Sequence, residues 1–320
     1  MRIRSVVGIH ILLVSVLSGC AFVNVPLMPP PMPLQEQVLE GDGARKILLI
    51  DISGTISEQE KSAGLLGRSE PSMVSQVRES LQKAVKDDRI AGLILRINSP
   101  GGTVTASDII HHEIVEFRKH KHIPVLACIM SIGASGGYYV AAAADEIVAH
   151  PTAITGSIGV ILMKFNVEGL MGKIGVEEQT VKSGDKKDIL SPFRKATPEE
   201  VKLGQEIIDQ LYRRFLDIVM ARHGNSLSRN ELQKLADGRI YTAGQALEVK
   251  LVDRIGYLDD VITSIRKTIG DDKARVVSYY RPGTYKGSIY ADAGEKSGAL
   301  EIFGGLDAFS AGSFMYIWRP

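Results

Sequence analysis

The stretch Ser131-Ile132-Gly133-Ala134-Ser135-Gly136-Gly137-Tyr138-Tyr139 sets one candidate nucleophile, Ser135, among small residues. Ile123 to Met130 ahead of it is an apolar run that reads as a buried parallel strand. Tyr138 to Ala144 behind it reads as a buried, alanine-rich helix. Strand, glycine turn and helix in that order put the serine hydroxyl at the mouth of a fold, beside a helix N-terminus. The glycines let another chain approach closely. A nucleophile belongs in such a place, although the same residues would also serve a close-packed turn with no chemistry in it.

A serine attacks an acyl carbon only with a base in reach and donors for the developing oxyanion. The chain has seven histidines. His10 lies in the leader, and His111, His112, His120 and His122 lie on or just past a charged helical stretch and read as a solvated face. His150 and His223 are the two that follow Ser135. Gly133-x-Ser135-x-Gly137 between a strand and a helix, with His223 as a late base, would make an α/β-hydrolase. A lysine serves equally if desolvation favours its neutral form. Lys182 and Lys187 sit in the glycine-broken segment Lys182-Ser183-Gly184-Asp185-Lys186-Lys187-Asp188-Ile189, which can fold back over the site. A run of Lys-Lys-Asp also reads as a solvated loop.

The elements that must position these residues alternate. Lys46 to Ile52 and Ile90 to Ile97 read as buried strands, with helices over Pro71 to Asp88 and from about Thr105 to Lys119. Such alternation argues for parallel βαβ units, whose ligands bind at the carboxyl ends of strands. Asn98-Ser99-Pro100-Gly101-Gly102-Thr103 and Ser131 to Gly137 are both carboxyl-end turns, so they are expected to be neighbours. Further on, Asp145 to His150 reads as a short strand, and Thr155-Gly156-Ser157-Ile158-Gly159-Val160 as a second glycine turn entering a strand. A helix near Val167–Lys173 and a strand Val176–Val181 follow. Pro198 to His223 is a long amphipathic helix, with shorter ones at about Ser228 to Ala236 and at Asp259–Ile269. Ser53 to Glu70 reads as a polar loop near the site.

A net charge of +1 and the absence of a basic run with interleaved aromatics give no argument for nucleic acid. No metal-ligand cluster, phosphate loop or dinucleotide fingerprint is visible, so no cofactor is expected. Two cysteines make no disulfide framework. Met1-Arg2-Ile3-Arg4, the apolar run Val6 to Val16 and Leu17-Ser18-Gly19-Cys20 read as a signal peptide, residues 1–19, too short to span a membrane. Its end resembles the bacterial lipoprotein box, in which the cysteine becomes the lipidated first residue. Cys20 is then a membrane anchor, and Cys128 is a small buried apolar residue. Ala21 after it favours the outer membrane, with the chain facing the periplasm. Prolines 26, 29, 30, 31 and 33 make residues 20–44 an extended tether outside the core. A catalytic domain is expected over 45–281 and a glycine- and serine-bearing tail over 282–320, in which Phe314 to Trp318 is apolar enough to dock. Residues 125–144 carry no charge, but their central glycines and serines and the immediate Asp145-Glu146 argue against a membrane span.

Six stretches in order resemble the protease IV, or signal peptide peptidase A, family of serine peptidases, over about residues 45–260. They are Asn98-Ser99-Pro100-Gly101-Gly102, Ala134 to Tyr139, Ala143-Ala144-Asp145-Glu146-Ile147, Thr155 to Val160, Lys182 to Asp188, and Gly238-Arg239-Ile240-Tyr241-Thr242. The resemblance implies an α/β fold of the crotonase and Clp-protease kind: a spiral of ββα units with parallel sheets and a helical C-terminal part. It makes Ser135 the nucleophile, Lys187 the general base with Lys182 as alternative, and Ser157 the residue that orients the lysine. The amides of Gly102 and Gly136 form the oxyanion hole. The implied substrates are hydrophobic peptides such as remnant signal peptides, with small apolar side chains near the cleaved bond. Lys186, where relatives often carry an aromatic or histidine, would add a second cation beside the base. The chain is the short form with one catalytic domain, so a homo-oligomeric ring is expected. Two other readings keep the fold: a non-catalytic scaffold, and an acyl-CoA enzyme, whose substrate pool export would remove.

Overall fold

The computed structural model describes residues 33–60, 71–224, 227–281, 288–290 and 314–318. The signal peptide and Cys20 lie outside them. In chain order the elements are β1 (Gln35–Glu40), β2 (Lys46–Ser53), α1 (Met73–Val85), β3 (Ile90–Ser99), β4 (Gly101–Thr103), α2 (Val104–Lys121), β5 (Val125–Ala134), α3 (Gly136–Ala141), β6 (Glu146–Ala149), β7 (Ile154–Gly156) and β8 (Ile161–Leu162). There follow α4 (Glu168–Lys173), α5 (Pro198–His223), α6 (Arg229–Leu235), β9 (Ile240–Thr242), α7 (Ala243–Glu248), β10 (Arg254–Ile255), α8 (Leu258–Ile269), β11 (Arg275–Tyr280) and β12 (Phe314–Ile317).

The main sheet runs β1-β11-β2-β3-β5-β6-β10, with β7 on β5 and β9 on β7. Every pairing from β11 to β10 is parallel, as is β5 with β7; β1 and β9 add antiparallel edges. This mixed α/β architecture with a mostly parallel sheet is the expected fold class. Strand side chains alternate between two apolar layers, which explains why these strands read as continuous hydrophobic runs. Leu48, Ile50, Leu93, Leu95, Ala127 and Ile129 pack with Ile110, Ile114 and Phe215 on one face. Ile47, Leu49, Ile94, Leu126 and Cys128 meet Leu258, Val261, Ile262 and Ile265 of α8 on the other. Each fully buried aliphatic side chain contributes about 1.5–3 kcal/mol. Helix α5 starts and stops where its sequence says. Thr197 and Glu200 form a capping box with Pro198 in the first turn, and Gly224 closes the end.

Three expectations change. The tether does not extend to residue 44: Gln35–Glu40 pairs antiparallel with β11, because past Pro33 the chain has free amides and Val38 lies opposite Val277. Val176–Val181 is not a strand; those residues are exposed and unpaired by any sheet. Strand β5 runs on to Ala134 instead of ending at Met130, because β7 gives its last residues a second partner. Among the described residues no helix is long and apolar enough to cross a membrane.

Candidate active site

The site is built where β5 changes neighbours. Leu126–Ile129 pair with β6 and Ile132–Ala134 with β7, and the register against β3 slips between Ile97 and Ser99. Across that slip the Ile132 amide donates to Asn98 Oδ1 at 3.2 Å. Asn98 and Ser99 thereby tie the Asn98–Gly102 turn to β5, and the two carboxyl-end turns are neighbours as expected. A Cβ on Gly137 would stand 2.7 Å from the Ser99 carbonyl oxygen, so only glycine fits there.

Ser135 follows the last β5 residue with φ +53° and ψ −116°, a conformation costly for any residue with a side chain. Its amide donates to the Gly156 carbonyl at 2.8 Å, and its own carbonyl accepts the Tyr139 amide at 2.9 Å. The strain is thus held by β7 on one side and α3 on the other. The side chain is 1% exposed and its Oγ has no hydrogen-bond partner among the described residues. A buried hydroxyl left unsatisfied is uncommon in a folded protein.

Ser157 is the counterpart one strand over. Because Ala134 lies opposite Gly156 in the parallel β5/β7 register, Ser135 and Ser157 are the next residues of adjacent strands. Ser157 also has positive φ, +51°, is buried, and is held by its amide donating to the Arg239 carbonyl at 2.7 Å. Thr155 between them donates its hydroxyl to the Gly133 carbonyl at 2.6 Å and locks the two strands together.

The third wall is β4. Ile56 bridges Gly102, its amide donating to the Gly101 carbonyl and its carbonyl accepting the Thr103 amide, both at 2.9 Å. Gly101 and Thr103 therefore face Ile56, and the Gly102 amide faces the opposite way. A Cβ on Gly102 would stand 1.8 Å from the Ile56 oxygen, and one on Gly101 would stand 2.7 Å from the Gly136 amide nitrogen. The structure thus brings Ser135, Ser157, Gly102 and Gly136 together at one end of the sheet. Gly136 opens α3, so its amide is among the donors a helix leaves without an internal partner.

Lys187 is not joined to this cluster. It lies in an exposed turn, its amide donating to the Gly184 carbonyl, and its side chain has no partner among the described residues. Lys182, the alternative base, is engaged: its Nζ pairs with Asp188 at 2.8 Å, and Arg194 holds the same carboxylate from the other side. These hydrogen bonds, Arg194 foremost, hold the Asp188 carboxyl well below the usual range. The expected second cation beside Lys187 is neutralised as well. Lys186 pairs with Glu199 at 2.6 Å, and that hydrogen bond raises its pKa. His223 does not touch Ser135 Oγ either; burial lowers its pKa, and it sits beside Arg222, which pairs with Asp253.

One feature was not visible in the sequence, and a second was expected only as an apolar segment able to dock. His111 is not part of a solvated face: its ring meets Tyr139 edge-on at 5.4 Å, and burial pushes its pKa down to about 4. Strand β12 lies against β4, directly over the glycine wall. The only sequence signal for it is the apolar spacing of Phe314 to Trp318. Among the described residues no group of three or more His, Cys, Asp or Glu is placed to hold a metal ion.

A strained serine at the carboxyl end of a parallel sheet, with backbone amides converging beside it, is equipped for acyl transfer. Residues 117–270 match the family model described as peptidase family S49. A protein of Enterococcus faecium that is a signal peptide peptidase SppA by name is 37% identical over 245 residues, 77% of this chain and 70% of its own length. Protease 4 of Haemophilus influenzae is 32% identical over 230 residues, 70% of this chain and 35% of that longer protein. A serine-to-alanine mutant of the membrane-bound stomatin-specific protease 1510-N superposes with a TM-score of 0.44 at 13% identity, covering 69% of this chain and 84% of that one. The chain belongs to peptidase family S49, the signal peptide peptidase A or protease IV family, and is a peptidase.

Proposed function

We propose that this chain is a serine endopeptidase in which Ser135 is the nucleophile and Lys187, supplied by a neighbouring copy, is the general base. The observation that carries the reading is the presence of two groups without a partner among the described residues: the Oγ of a buried, strained Ser135, and the amine of an exposed Lys187. The segment around Lys187 also presents apolar side chains to solvent, with Leu170 60% and Ile174 65% exposed and Val176 and Phe193 beyond 40%, and α4 buries none of its residues. Such a surface fits an interface between copies, and a ring of copies would seat it.

In the reaction the neutral Lys187 amine takes the proton of Ser135 Oγ as that oxygen attacks the peptide carbonyl. The Gly102 and Gly136 amides receive the oxyanion, and Ser157 hydrogen-bonds the lysine and holds it in line. The resulting ammonium gives its proton to the departing amine, leaving an acyl-serine. Water, deprotonated by the same lysine, then releases the acid and regenerates Ser135. The substrates are hydrophobic peptides such as remnant signal peptides, presented at a membrane to which Cys20 is anchored by lipid, on the periplasmic side and by Ala21 at the outer membrane. Labelling with a palmitate analogue that is lost in Cys20→Ala tests the anchor.

The test of the chemistry is hydrolysis of an apolar fluorogenic peptide by wild type, Ser135→Ala, Lys187→Ala, Lys182→Ala and His223→Ala, each checked for assembly. Loss in Ser135→Ala and Lys187→Ala alone is expected. Loss in Lys182→Ala with Lys187→Ala active moves the base by five residues, and loss in His223→Ala with both lysine variants active replaces the mechanism by a histidine one.

A further inference from the structure

The Lys187 turn is tied down by an arginine that is bonded more fully than a surface ion pair requires. Asp188, Arg194 and Glu200 are spaced six residues apart. The chain folds back between them, the Ser191 amide donating to the Asp188 carbonyl at 2.9 Å and the Val167 amide to the Pro192 carbonyl at 2.8 Å. Arg194 stands in the middle with a fork on each side. Its Nε and Nη2 donate to the two Asp188 carboxylate oxygens at 2.8 and 2.7 Å. Its Nη1 and Nη2 donate to the two Glu200 oxygens at 2.9 and 2.6 Å. Nη1 also reaches the Lys195 carbonyl at 3.1 Å. Every N–H of the guanidinium is thereby used, most of them on two bidentate carboxylates.

The consequence falls on the charges around Lys187. Of the lysines at 182, 186 and 187, Lys187 alone has no ion pair among the described residues, although Asp188 is its neighbour in the chain. Asp188 is taken by Arg194 and Lys182, and these hydrogen bonds, Arg194 foremost, hold its carboxyl low. The Glu200 side chain is 2% exposed, and Arg194 first, then the Thr197 amide, hold its carboxyl at about 2. Glu199 pairs with Lys186 and raises it, with Glu200 and Asp185 adding to the effect. On α4 the Glu168 carboxylate accepts the Lys195 amide at 3.2 Å, and beyond it Glu178 accepts the Thr180 hydroxyl at 2.6 Å. The acidic groups of this region are thus turned to partners other than Lys187. Exposed ion pairs add little stability, so the larger effect of the double fork is on the electrostatics of the amine beside it.

We propose that Arg194 is a positioning residue for the base: by holding the Asp188 and Glu200 carboxylates it keeps them off Lys187, so that the amine is presented without a counterion. This role rests on Lys187 being the base that reaches Ser135. A carboxylate facing an amine favours the charged form, whereas a general base acts only when neutral. Without Arg194, Glu200 stays buried at the start of α5 on the Thr197 amide. Asp188 is then left with Lys182 alone and is free to turn to Lys187. A carboxylate brought to about 4 Å from an amine near a protein surface moves its titration up by about one pH unit.

The experiment reads kcat/KM against pH for an apolar peptide without titratable groups. It compares the full chain with full-chain Arg194→Gln, Arg194→Lys, Arg194→Gln/Asp188→Asn and Lys187→Ala, each checked for assembly at every pH. In Arg194→Gln the rising, acid-side limb is expected to move up by about one pH unit. The rate below the limb then falls about tenfold while the plateau changes little. Arg194→Lys, whose ammonium cannot fork two carboxylates, is expected to move the limb the same way by less than half as much. In the double variant the limb is expected to return to its wild-type position, although the turn is still untied. An unmoved limb in a folded Arg194→Gln, an even loss at all pH values, or a limb equally displaced in the double variant overturns the role. If Arg194→Gln does not assemble, Arg194→Lys decides: an upward shift supports the role and none overturns it. Lys187→Ala with wild-type activity overturns Lys187 as the base, and the role of Arg194 with it. Lys187→Ala inactive beside an unmoved limb in Arg194→Gln overturns Arg194 alone.

Discussion

The glycine-walled end of the sheet and the segment carrying Lys187 are opposites in physical character. Around Ser135 the backbone is strained, buried and bonded on every side: Gly156, Arg239, Ile56 and Tyr139 each fix a particular amide or carbonyl. Around Lys187 the chain is exposed, pairs with no strand, and is organised by side-chain charges, Asp188 with Lys182 and Arg194, and Arg194 with Glu200. The first region is preorganised by tertiary structure. The second is shaped locally and displays an amine that pairs with nothing among the described residues. The proposed role of Lys187, as base for the Ser135 of another copy, requires this division, since such a base has to fold before its target is present.

The sharpest way to break the comparison is complementation. Ser135→Ala and Lys187→Ala are each expected to lose at least about 10³-fold in kcat/KM, as nucleophile or base losses do. Mixing the two after dissociation and reassembly is expected to restore activity, because some sites then combine an intact serine with an intact lysine. Mixed assemblies as inactive as either parent would place both residues in one chain and remove the argument from division of labour.

Next in size is the glycine wall. Gly102→Ala drives a Cβ to 1.8 Å from the Ile56 carbonyl oxygen, so one of the two backbones has to shift, and at a cost. Moving one oxyanion donor costs about 10²–10³-fold in kcat. The chain is expected to keep its fold with Ile56 displaced and to lose turnover more than substrate affinity. A Gly244→Ala control, where nothing lies within 4 Å, is expected to leave both unchanged. Equal behaviour of the two variants would deny the wall its rigidity.

A smaller effect is expected at Ser157. Ser157→Ala removes a hydroxyl but leaves the Ser157 amide bond to Arg239 and the β5/β7 register intact. If it aligns the lysine, kcat falls by about tenfold or more and the rising, acid-side limb of the pH–rate profile moves, because the base acts only when neutral, while thermal stability is unchanged. A drop in stability with an unmoved profile would make Ser157 a structural turn residue.

These two regions were not equally legible. The Ser135 turn, the Asn98–Thr103 turn beside it and the alternating strands could be read because each depends on local pattern: runs of β-branched and apolar residues, glycines at forced turns, and the Pro198 and Thr197 signals that open α5. Strand β1 was hidden because its partner, β11, lies some 240 residues away and its own residues are mostly polar. Strand β12 was legible as an apolar segment able to dock, but not its partner, since its pairing with Gly101–Thr103 is a tertiary fact. The Val176–Val181 run failed in the other direction. It begins and ends on β-branched residues, Val176 and Val181, yet no sheet pairs with it among the described residues, and both valines are exposed. The choice of base lay between Lys187 and Lys182 because the two look alike in sequence, and only the fold shows that Asp188 engages Lys182.

That last point gives the smallest prediction and the one most specific to the Lys187 segment. Asp188, Arg194 and Glu200 form the cluster that sets its shape, and Arg194 holds the Glu200 carboxyl down at about 2 and Asp188 below the usual range. Carboxyls whose folded pKa is depressed stabilise a fold fully above their unfolded values, near 4, and lose that contribution as pH falls through the folded values. The segment from about 182 to 200 is therefore expected to become more exchangeable as pH drops from about 5 toward 2, while the Ser135 turn, held by backbone bonds, stays protected. Hydrogen exchange read by mass spectrometry at several pH values measures both at once. Asp188→Asn is expected to reproduce the acid behaviour at neutral pH, free Lys182 from its carboxylate partner, and lower activity only a few-fold, because surface ion pairs are worth little one at a time. Equal loss of protection in both regions on acidification would mean that the charge cluster supports the whole domain, and the two regions would then be one structural unit instead of two.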